Sequence, residues 1–559
     1  MPEKKISMFK NYIAQYLKND SSKDFEINIP SYKGIAFAEK IKKAILTNKK
    51  IFVYGDYDVD GIGSTAFMVS IIKDMAKFNY KKTKVDYRVP SRAEHYGLKY
   101  DFFKAALKSY DLFITVDNGT HREFFNMLSD EDKKKILIID HHPNGDFGKE
   151  ENVINPNIDG SVSISTGILI EYLHQCFRKI DKDYANKRDV HHYKDYVAIT
   201  LISDMANVNN KTIRGFITKG LEKISARNRP LYSHFFPDWK KDITVEDIAF
   251  DLIPKLNSVG RLGLELDWIV EAWTSQKDTD FVKESYLKLE DTNEQRKEAL
   301  NYYSKLIEKE IEESGVNLSE ASLLYYHRDD VPIGLNGLIA GNLAQKYKTN
   351  ALFTSINYGG DEQAIGSGRG GSIKKTLIEV AEKYKDVRES IQFGGHLRAV
   401  GLRARDPKIL SERIAEFNKN TKKKIIENGK FLVSNKNISV QEYLSFCKEY
   451  SEICGSIPLN DSFYSSSELL VLGFDEYRND FVKVLCQDKN GDMIEIITKS
   501  NLEIDLLSAN FQEVALEIKT VSDINDDMVI FTNIETKGSL SQNNNQANKI
   551  DEASAKMKL

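Results

Sequence analysis

Three short apolar runs in the early part of the chain each lead directly into a turn that contains aspartate. Residues 51–54, 114–116 and 137–139 are followed by the sequences GDYDVDG, DNGT and DHHP, with helical patterns between them. Strands that alternate with helices are typical of βαβ units in a parallel sheet. In such a sheet the ligand crevice lies outside the carboxyl ends of the strands. The sequence therefore predicts an α/β fold with carboxylates at one edge of a parallel sheet.

The first of these turns places three aspartates, Asp56, Asp58 and Asp60, at alternate positions. Crowded carboxylates repel one another unless cations offset their charge. Hard oxygen ligands suit Mg²⁺ or Mn²⁺. The motif therefore indicates a divalent-metal site, and a solvated Asp-Gly turn is the alternative interpretation.

Further residues extend this candidate site. Asp117 opens a glycine-containing turn, for which helix capping is the alternative role. The consecutive histidines His141 and His142, next to Asp140, are unusual in a purely structural turn, and a histidine ligand favours Mn²⁺ over Mg²⁺. Asp204 ends an apolar run with a helical pattern. By itself it indicates nothing, but a fourth carboxylate would complete a two-metal site.

Composition excludes several classes of protein. The chain has 559 residues and a formal net charge of −4, so we expect three or four domains and no uniformly basic nucleic-acid coat, although a local basic groove remains compatible. Its four cysteines lack the spacing of a zinc site, which is typical of reduced thiols in a cytosolic protein. The sequence shows neither a signal peptide nor an apolar stretch long enough for a membrane span, so we expect a cytoplasmic protein.

In the remainder of the chain, the pattern of residue types changes three times. Residues 275–316 are highly charged with helical periodicity, which predicts a long connecting helix. A second α/β pattern follows and includes a glycine-rich segment at 393–395, which we interpret as a loop. Segments with β-type patterns begin near residue 430, and the chain ends in a polar stretch typical of a disordered tail.

The order of these motifs resembles the DHH phosphoesterase superfamily. The segments LNSVGRLG at 256–263, GSGR at 366–369 and FGGHLRAVG at 393–401 are similar to its exonucleases and to the DHH-associated domain. Over residues 34–405 the resemblance is closest to the RecJ-type exonucleases that are specific for single-stranded DNA. One departure is SDMA at 203–206, where the family usually has VADVVP, and this change removes no ligand.

The resemblance implies an α/β architecture. A parallel-sheet DHH domain and a second α/β DHH-associated domain would be joined by a long helix and followed by a β-rich, OB-fold-like domain. The implied division is an N-terminal extension at 1–33, a DHH catalytic domain at 34–274, a connecting helix at 275–316, a DHH-associated substrate-binding domain at 317–429, an OB-fold-like nucleic-acid-binding domain at 430–535 and a disordered tail at 536–559.

The resemblance also implies roles for individual residues. Two Mn²⁺ or Mg²⁺ ions are expected on Asp56, Asp58, Asp60, Asp117, His141 and Asp204. The catalytic group is expected to comprise Asp117 as a bridging carboxylate, Asp140 orienting the histidines, and His142 near the scissile phosphate. The substrate is expected to contact Arg261, Arg369, Gly394, Gly395 and His396. A surface ion pair is the alternative for each arginine, and a plain turn is the alternative for the glycines.

The function that the resemblance implies is 5′-to-3′ hydrolysis of single-stranded DNA to mononucleotides by two-metal, in-line attack of water, in DNA recombination and repair. Single-strand-binding protein and a helicase are candidate partners of a monomer that does not bind membranes. Two alternatives come from other relatives: a phosphodiesterase for short RNA or cyclic dinucleotides, and a binding-only helicase component that has lost its ligands. Every ligand position is filled here, which favours an active enzyme.

Overall fold

The computed structural model describes most of the chain between residues 29 and 536. The described residues are 29–94, 97–143, 150–157, 164–313, 321–356, 363–396, 398–421, 430–432, 437–454, 462–478, 481–499, 512–518, 521–524, 527–531 and 534–536. The side chain of His396 lies outside this description. The predicted N-terminal extension and C-terminal tail also lie outside it, except for residues 29–33 and 536.

The described residues fall into two compact units. One unit contains the described residues of 27–206 and 219–426. The other unit contains the described residues of 207–218 and those from 427 onward. The first unit contains two of the three sheets, and the third sheet belongs to the second unit. The limits of the six segments drawn from the sequence stay predictions.

The first sheet is parallel and has five strands in the order β2-β1-β3-β4-β5. These strands are β1 Ile51–Tyr54, β2 Val85–Arg88, β3 Leu112–Val116, β4 Ile136–Ile139 and β5 Val153–Ile154. Every residue of β1, β3 and β4 is buried, as expected for a parallel sheet covered on both faces. The predicted parallel α/β fold is confirmed.

Helices surround this sheet and continue beyond it. One of them, Val59–Phe78, is buried along most of its length, since it packs between the sheet and the helices Thr166–Ile180 and Lys194–Ser203. The helices of this part of the chain are Ser31–Leu46, Val59–Phe78, Tyr100–Ala106, Arg122–Met127, Asp130–Lys135, Thr166–Ile180, Lys182–Lys187, Lys194–Ser203, Lys211–Ser225, Pro230–Phe235, Val245–Asp247, Ile253–Arg261 and Asp267–Thr274, with a 3-10 turn at Arg92–Glu94 and a π-helical turn at Ile248–Leu252.

The predicted long helix is present as Asp280–Glu313. It leads to a second five-stranded sheet in the order β6-β7-β8-β10-β9, in which only the pair β6 and β7 is parallel. The strands are β6 Leu323–His327, β7 Asn350–Ile356, β8 Ala364–Arg369, β9 Ile391–His396 and β10 Ala399–Ala404, and the helices beside them are Asn336–Lys346, Ile373–Lys383, Lys385–Ser390 and Pro407–Asn420, with a 3-10 turn at Ile333–Leu335.

The glycine-rich segment at 393–395 corrects one expectation. It was interpreted as a loop, but it lies within strand β9 and pairs with β10, where Gly394 is opposite Gly401 and Gly395 is opposite Val400. Glycine signals a turn in most sequences. In a strand interior it marks a bulge, or a place where a ligand or another backbone comes close.

The C-terminal part is β-rich, as predicted. Its described strands form one sheet in the order β16-β17-β14-β13-β12-β15-β18, with β11 paired to β12. A core of buried aliphatic and aromatic side chains packs the helix Val440–Cys454 against it. The strands are β11 Lys430–Leu432, β12 Ser462–Arg478, β13 Phe481–Asp488, β14 Met493–Lys499, β15 Gln512–Glu517, β16 Val521–Ile524, β17 Asp527–Phe531 and β18 Ile534–Thr536.

Among the described helices, none combines the length and the apolar character that crossing a bilayer would require.

Candidate metal centre and arginine pocket

The turn after β1 places three carboxylates at the carboxyl edge of the first sheet. Asp58 caps the following helix by accepting a hydrogen bond from the Gly61 backbone N–H at 3.1 Å. Asp60 lies in the first helical turn and is fully buried. A Cβ on Gly61 would lie 2.4 Å from the Asp56 carbonyl oxygen, so glycine is required for the helix to begin this close to the strand.

The turn after β3 lies beside the first one. Asp117 has a φ of +63°, in the left-handed region that Asp and Asn tolerate better than most residues. Its backbone N–H donates to the Ile139 carbonyl at 2.9 Å. The Asn118 amide donates to the Gly55 carbonyl at 2.9 Å. These bonds connect the ends of β1, β3 and β4, which brings the carboxylates of separate turns together.

Asp140, at the end of β4, organises the histidine turn. Its Oδ1 accepts hydrogen bonds from the backbone N–H groups of His141 and His142 at 2.8 and 3.1 Å and from His142 Nδ1 at 2.8 Å. Its Oδ2 accepts from the Thr120 hydroxyl. Burial alone would raise the pKa of Asp140, but the charge of His142 and these hydrogen bonds hold it well below its usual range.

The side chains of Asn155 and Asn157 support the same turn from the other side. Asn157 donates to the His141 carbonyl at 2.7 Å, and Asn155 donates to the His142 carbonyl at 2.9 Å. The backbone of both histidines is therefore held by hydrogen bonds from two directions, which fixes the part of the chain from which the two rings project.

Asp204 reaches the site from a helix. It is the C-terminal cap of Lys194–Ser203, so the predicted helix before it is present. This helix packs closely on Val59–Phe78, where a Cβ on Gly63 would lie 2.9 Å from Thr200 Cγ2. The close approach places Asp204 Oδ2 at 3.1 Å from His141 Nε2.

The structure brings all six predicted ligands into one cluster. His141 Nε2 lies 3.5 Å from Asp60 Oδ2 and 3.3 Å from Asp117 Oδ1. Three sets of donor atoms, each within 4.8 Å of one another, overlap at Asp117 and His141. The three sets are Asp56, Asp58 and Asp117; Asp60, His141 and Asp204; and Asp117, His141 and His142.

The electrostatics of the cluster fit bound cations. Burial and neighbouring carboxylates raise the pKa of Asp56, Asp117 and Asp204 well above the usual range and raise that of Asp60 to about 7. Among the described residues, the buried Oδ1 of Asp56 has no hydrogen-bond partner. A divalent ion would satisfy this oxygen and offset the repulsion. The residues therefore fit a divalent-metal centre of oxygen and imidazole donors.

His142 and Asp140 differ in their relation to the cluster. His142 belongs to one of the three donor sets, so its position suits a metal ligand as well as the predicted phosphate contact. Asp140 belongs to none of the sets found among the described residues and binds the histidine turn instead. Its predicted orienting role is compatible with this position, and the roles of both residues stay predictions.

Arg261 ends the helix Ile253–Arg261 and is held near the second sheet by a hydrogen bond from its Nη1 to the Gly334 carbonyl at 3.1 Å. Burial and the nearby charges of Arg92, Arg296 and Arg369 lower the pKa of Arg261 to about 9, while the charge of Asp58 acts in the opposite direction. The charges of these guanidinium groups therefore act on one another near the carboxylate cluster, and we call the four residues Arg92, Arg261, Arg296 and Arg369 the arginine pocket.

The pocket consists of one arginine from each of four separate segments. Arg92 stacks over the Tyr57 ring, with its Cζ 4.2 Å from the ring centroid. The guanidinium of Arg296 donates to Asn293 Oδ1 at 2.9 and 3.1 Å. Arg369 Nη1 donates to the Ser367 hydroxyl at 2.8 Å. Within the described residues, no carboxylate forms an ion pair with Arg92 or Arg369, so the charge of these two arginines is available to an anion.

The sequence interpretation missed two members of this pocket. Arg92 lies shortly after β2, and Arg296 lies in the long charged helix, where an arginine carries no distinguishing pattern. The resemblance implies that Arg261 and Arg369 contact the substrate. The structure shows that both belong to the arginine pocket. Gly394 and Gly395 lie in β9, and the His396 side chain lies outside the described part of the chain.

Replacing Met205, which follows Asp204, with glycine is expected to stabilise the protein. Met205 has a φ of +50° at the position after a helix that glycine usually occupies. Relief of the left-handed conformation should add about 0.5–1 kcal/mol to the free energy of unfolding, net of the chain entropy of glycine. Chemical denaturation would measure the change.

Lys348 provides a matched control, since it has a φ of +48° at the equivalent position after the helix Asn336–Lys346. Met205→Gly and Lys348→Gly should give similar gains. A loss of stability on Met205→Gly alone would show that the Met205 side chain is needed for packing.

A known protein family matches the part of the chain that carries most of the predicted metal ligands. The family model described as the DHH family, N-terminal domain, matches residues 50–201, which contain all the predicted ligands except Asp204. This part of the chain is therefore similar to the N-terminal domain of the DHH family.

Over a longer part of the chain, the similarity is to RecJ proteins. The chain is 26% identical over 398 residues to the single-stranded-DNA-specific exonuclease RecJ of Bacillus subtilis, covering 69% of this chain and 47% of that protein. The match to RecJ of Dickeya dadantii is 27% over 420 residues, 68% of this chain and 67% of that one. The chain thus spans about half the length of the first relative. The resemblance to RecJ seen in the motifs is confirmed.

A solved structure shows the same fold. RecJ from Thermus thermophilus, in complex with Mn²⁺, superposes with a TM-score of 0.67 at 16% identity, covering 91% of this chain and 72% of that one. At this identity the likeness concerns the fold alone.

Proposed function

We propose that this protein is a divalent-metal-dependent exonuclease that degrades single-stranded DNA from the 5′ end to mononucleotides. The observation that carries the proposal is the closeness of two oppositely charged sites. Arg92 of the arginine pocket stacks over Tyr57, which lies between Asp56 and Asp58 of the carboxylate cluster, at 4.2 Å from the ring centroid, and a Cβ on Gly260, next to Arg261, would lie 2.7 Å from the Tyr57 carbonyl oxygen. One site can hold divalent cations and the other can hold phosphate. Single-stranded DNA as the substrate is supported by the names of the RecJ relatives, and the direction of cleavage is supported by the resemblance.

The arginine pocket supports cleavage at a strand end. A terminal phosphate monoester carries about 1.5 to 2 negative charges at neutral pH, whereas an internal phosphodiester carries one. The four arginines lower one another's pKa by repulsion. A phosphate monoester offsets this repulsion more than a phosphodiester does, because it carries more negative charge. The pocket therefore suits a terminal phosphate, which the resemblance to RecJ proteins makes the 5′ phosphate, and the first phosphodiester would then lie toward the carboxylate cluster.

The residues of the chain would divide the work as follows. Asp56, Asp58, Asp60, Asp117, His141 and Asp204, with His142 as a further donor, would hold two Mn²⁺ or Mg²⁺ ions. Such ions supply an activated water and stabilise the attacking and leaving oxygens of an in-line displacement. Asp140 would orient the His142 ring through the hydrogen bond between its Oδ1 and His142 Nδ1, and the ring would serve either as a metal ligand or as a contact to the phosphate.

The wider biological role belongs to the same proposal. Activity in DNA recombination and repair, single-strand-binding protein and a helicase as partners, a monomeric state and a cytoplasmic location are supported by the resemblance to RecJ proteins. The alternative activity, hydrolysis of short RNA or cyclic dinucleotides, is tested together with the main proposal.

Single-stranded oligonucleotides labelled at either end, a blunt duplex, a short RNA and a cyclic dinucleotide would be incubated with the protein and Mn²⁺. We expect mononucleotides from single-stranded DNA only, with the 5′ label released first. Chelation of the metal should stop the reaction. Equal rates on the duplex, or early release of the 3′ label, would reject the proposal, and faster hydrolysis of the RNA or cyclic dinucleotide would favour the alternative.

A further inference from the structure

Two glycines in the second sheet are not explained by packing. A Cβ on Gly394 in β9 or on Gly401 in β10 would meet no described atom within 4 Å, whereas one on Gly366 would lie 2.5 Å from Thr354 Cγ2. Glycine weakens a strand interior. Among the described residues, packing therefore gives a reason for Gly366 but none for Gly394 or Gly401, and a strand glycine can also serve the close approach of a ligand.

These two glycines form the floor of an open sheet face. Gly401 pairs with Gly394 on one side and with Ser367 on the other. Along β10 the side chains of Val400, Leu402 and Ala404 are buried in the core beneath the sheet. Because side chains alternate between faces, Gly401 and the residues two positions away lie on the opposite, exposed face.

Arg403 stands on this face. It is exposed and pairs in register with Gln392 and Ile365. Within the described part of the chain it forms no ion pair and no side-chain hydrogen bond. An exposed arginine next to a floor without side chains offers a guanidinium to a phosphate that lies flat on the sheet.

The face continues from the arginine pocket. Arg369 of the pocket pairs with Ala399, four residues before Arg403 on the same strand, a distance of about 13 Å along β10. Burial is the main cause of the lowered pKa of His121, and the charge of Arg403 contributes to it. Since His121 follows the turn after β3, Arg403 lies within electrostatic reach of the edge that carries the metal cluster.

We propose that the face formed by Gly394, Gly401 and Arg403 holds the sugar–phosphate backbone of a nucleic-acid strand, with Arg403 on an internal phosphate a few nucleotides from the strand end. The inference rests on the proposed function, because that function places the strand end in the arginine pocket. The glycine floor lets the backbone approach the sheet, and Arg403 supplies the charge. The resulting contact is to phosphate and is independent of base sequence.

The Arg403→Ala variant tests whether the charge of Arg403 contributes to binding of the strand. Binding of a 5′-phosphorylated 12-nucleotide single strand would be measured by anisotropy in the presence of a chelator, so that nothing is cleaved. We expect roughly tenfold weaker binding and a slope of log affinity against log salt that is smaller by about 0.7. Mn²⁺-dependent hydrolysis of a 5′-phosphorylated dinucleotide should be unchanged, because it does not reach Arg403.

Arg388→Ala is the matched control. Arg388 is an exposed arginine on the helix Lys385–Ser390, which packs on the opposite, buried face of the same sheet through Val387. It should bind the 12-nucleotide strand as tightly as the wild-type protein. If Arg388→Ala and Arg403→Ala weaken binding equally, the effect comes from overall charge and the inference is wrong.

The Gly401→Val variant tests whether the absence of a side chain at Gly401 is needed for the strand to approach the sheet. Valine suits a strand better than glycine does, so thermal stability should hold or rise while binding of the 12-nucleotide strand weakens. Normal binding by both Gly401→Val and Arg403→Ala would overturn the inference, even if the wild-type protein degrades single-stranded DNA. If the wild-type protein binds the strand in an Arg403-dependent way but does not hydrolyse it, the proposed function fails and the binding face stands.

Discussion

The Asp117→Asn variant is expected to lose nuclease activity by roughly a thousandfold or more while remaining folded. Asp117 belongs to two of the three donor sets, so its loss would disturb both of the proposed ion positions at once. Asparagine tolerates the φ of +63° and can accept the Thr166 hydroxyl hydrogen bond that Asp117 Oδ1 accepts at 3.1 Å. Turnover of a labelled single strand and Mn²⁺ binding by calorimetry would both be measured.

Asp183→Asn is the control, since Asp183 is an exposed aspartate in the same part of the chain. It should behave as the wild-type protein does. Without metal, Asp117→Asn should be at least as stable as the wild-type protein, because it removes one of several crowded buried charges. Near-normal activity of folded Asp117→Asn would refute the metal assignment.

The Arg369→Ala variant is expected to bind 5′-phosphorylated single strands about 10–150-fold more weakly, the loss of a charge-assisted contact worth roughly 1.5–3 kcal/mol. Burial and the nearby charge of Arg92 lower the pKa of Arg369, so removing it leaves the other arginines of the pocket more stable as cations but less able to hold phosphate. Mn²⁺ affinity should not change, because a protonated guanidinium has no lone pair to offer a metal ion.

Anisotropy with oligonucleotides that carry or lack the 5′ phosphate would measure this effect, and Arg388→Ala again serves as the control. The difference between the two oligonucleotides should shrink in Arg369→Ala. The assignment fails if this variant loses Mn²⁺ or binds the phosphorylated strand normally. If affinity holds while turnover falls, Arg369 acts on the transition state.

The parallel sheet and its carboxylates could be predicted because both depend on local sequence. An apolar run such as that of β1 predicts a buried strand, and the ends of parallel strands meet at one edge. Asp56, Asp117 and Asp140 each follow such a run closely, so their meeting required no three-dimensional information. The similarity of the chain to RecJ then extended the prediction to Asp204, which no local pattern marks.

The arginine pocket could be predicted only in part, because its members meet through packing of distant segments. Arg92 follows β2, while Arg296 lies on a helix far along the chain, and nothing near either residue indicates the other. The glycine segment at 393–395 was wrongly assigned to a loop, since glycine is common in turns. The pairing of β9 with β10 depends on the neighbouring strand and cannot be inferred from the glycines themselves.

The connection of the ligand cluster to four separate segments has a consequence for folding kinetics. Its donors lie between residues 56 and 204, and Asp204 arrives only when the helix Lys194–Ser203 docks on Val59–Phe78. Such long-range contacts are costly in loop entropy and tend to form slowly. A metal ion would therefore find its complete site only in the native state. Mn²⁺ should slow unfolding and leave the folding rate nearly unchanged, as expected for an interaction that is absent from the transition state.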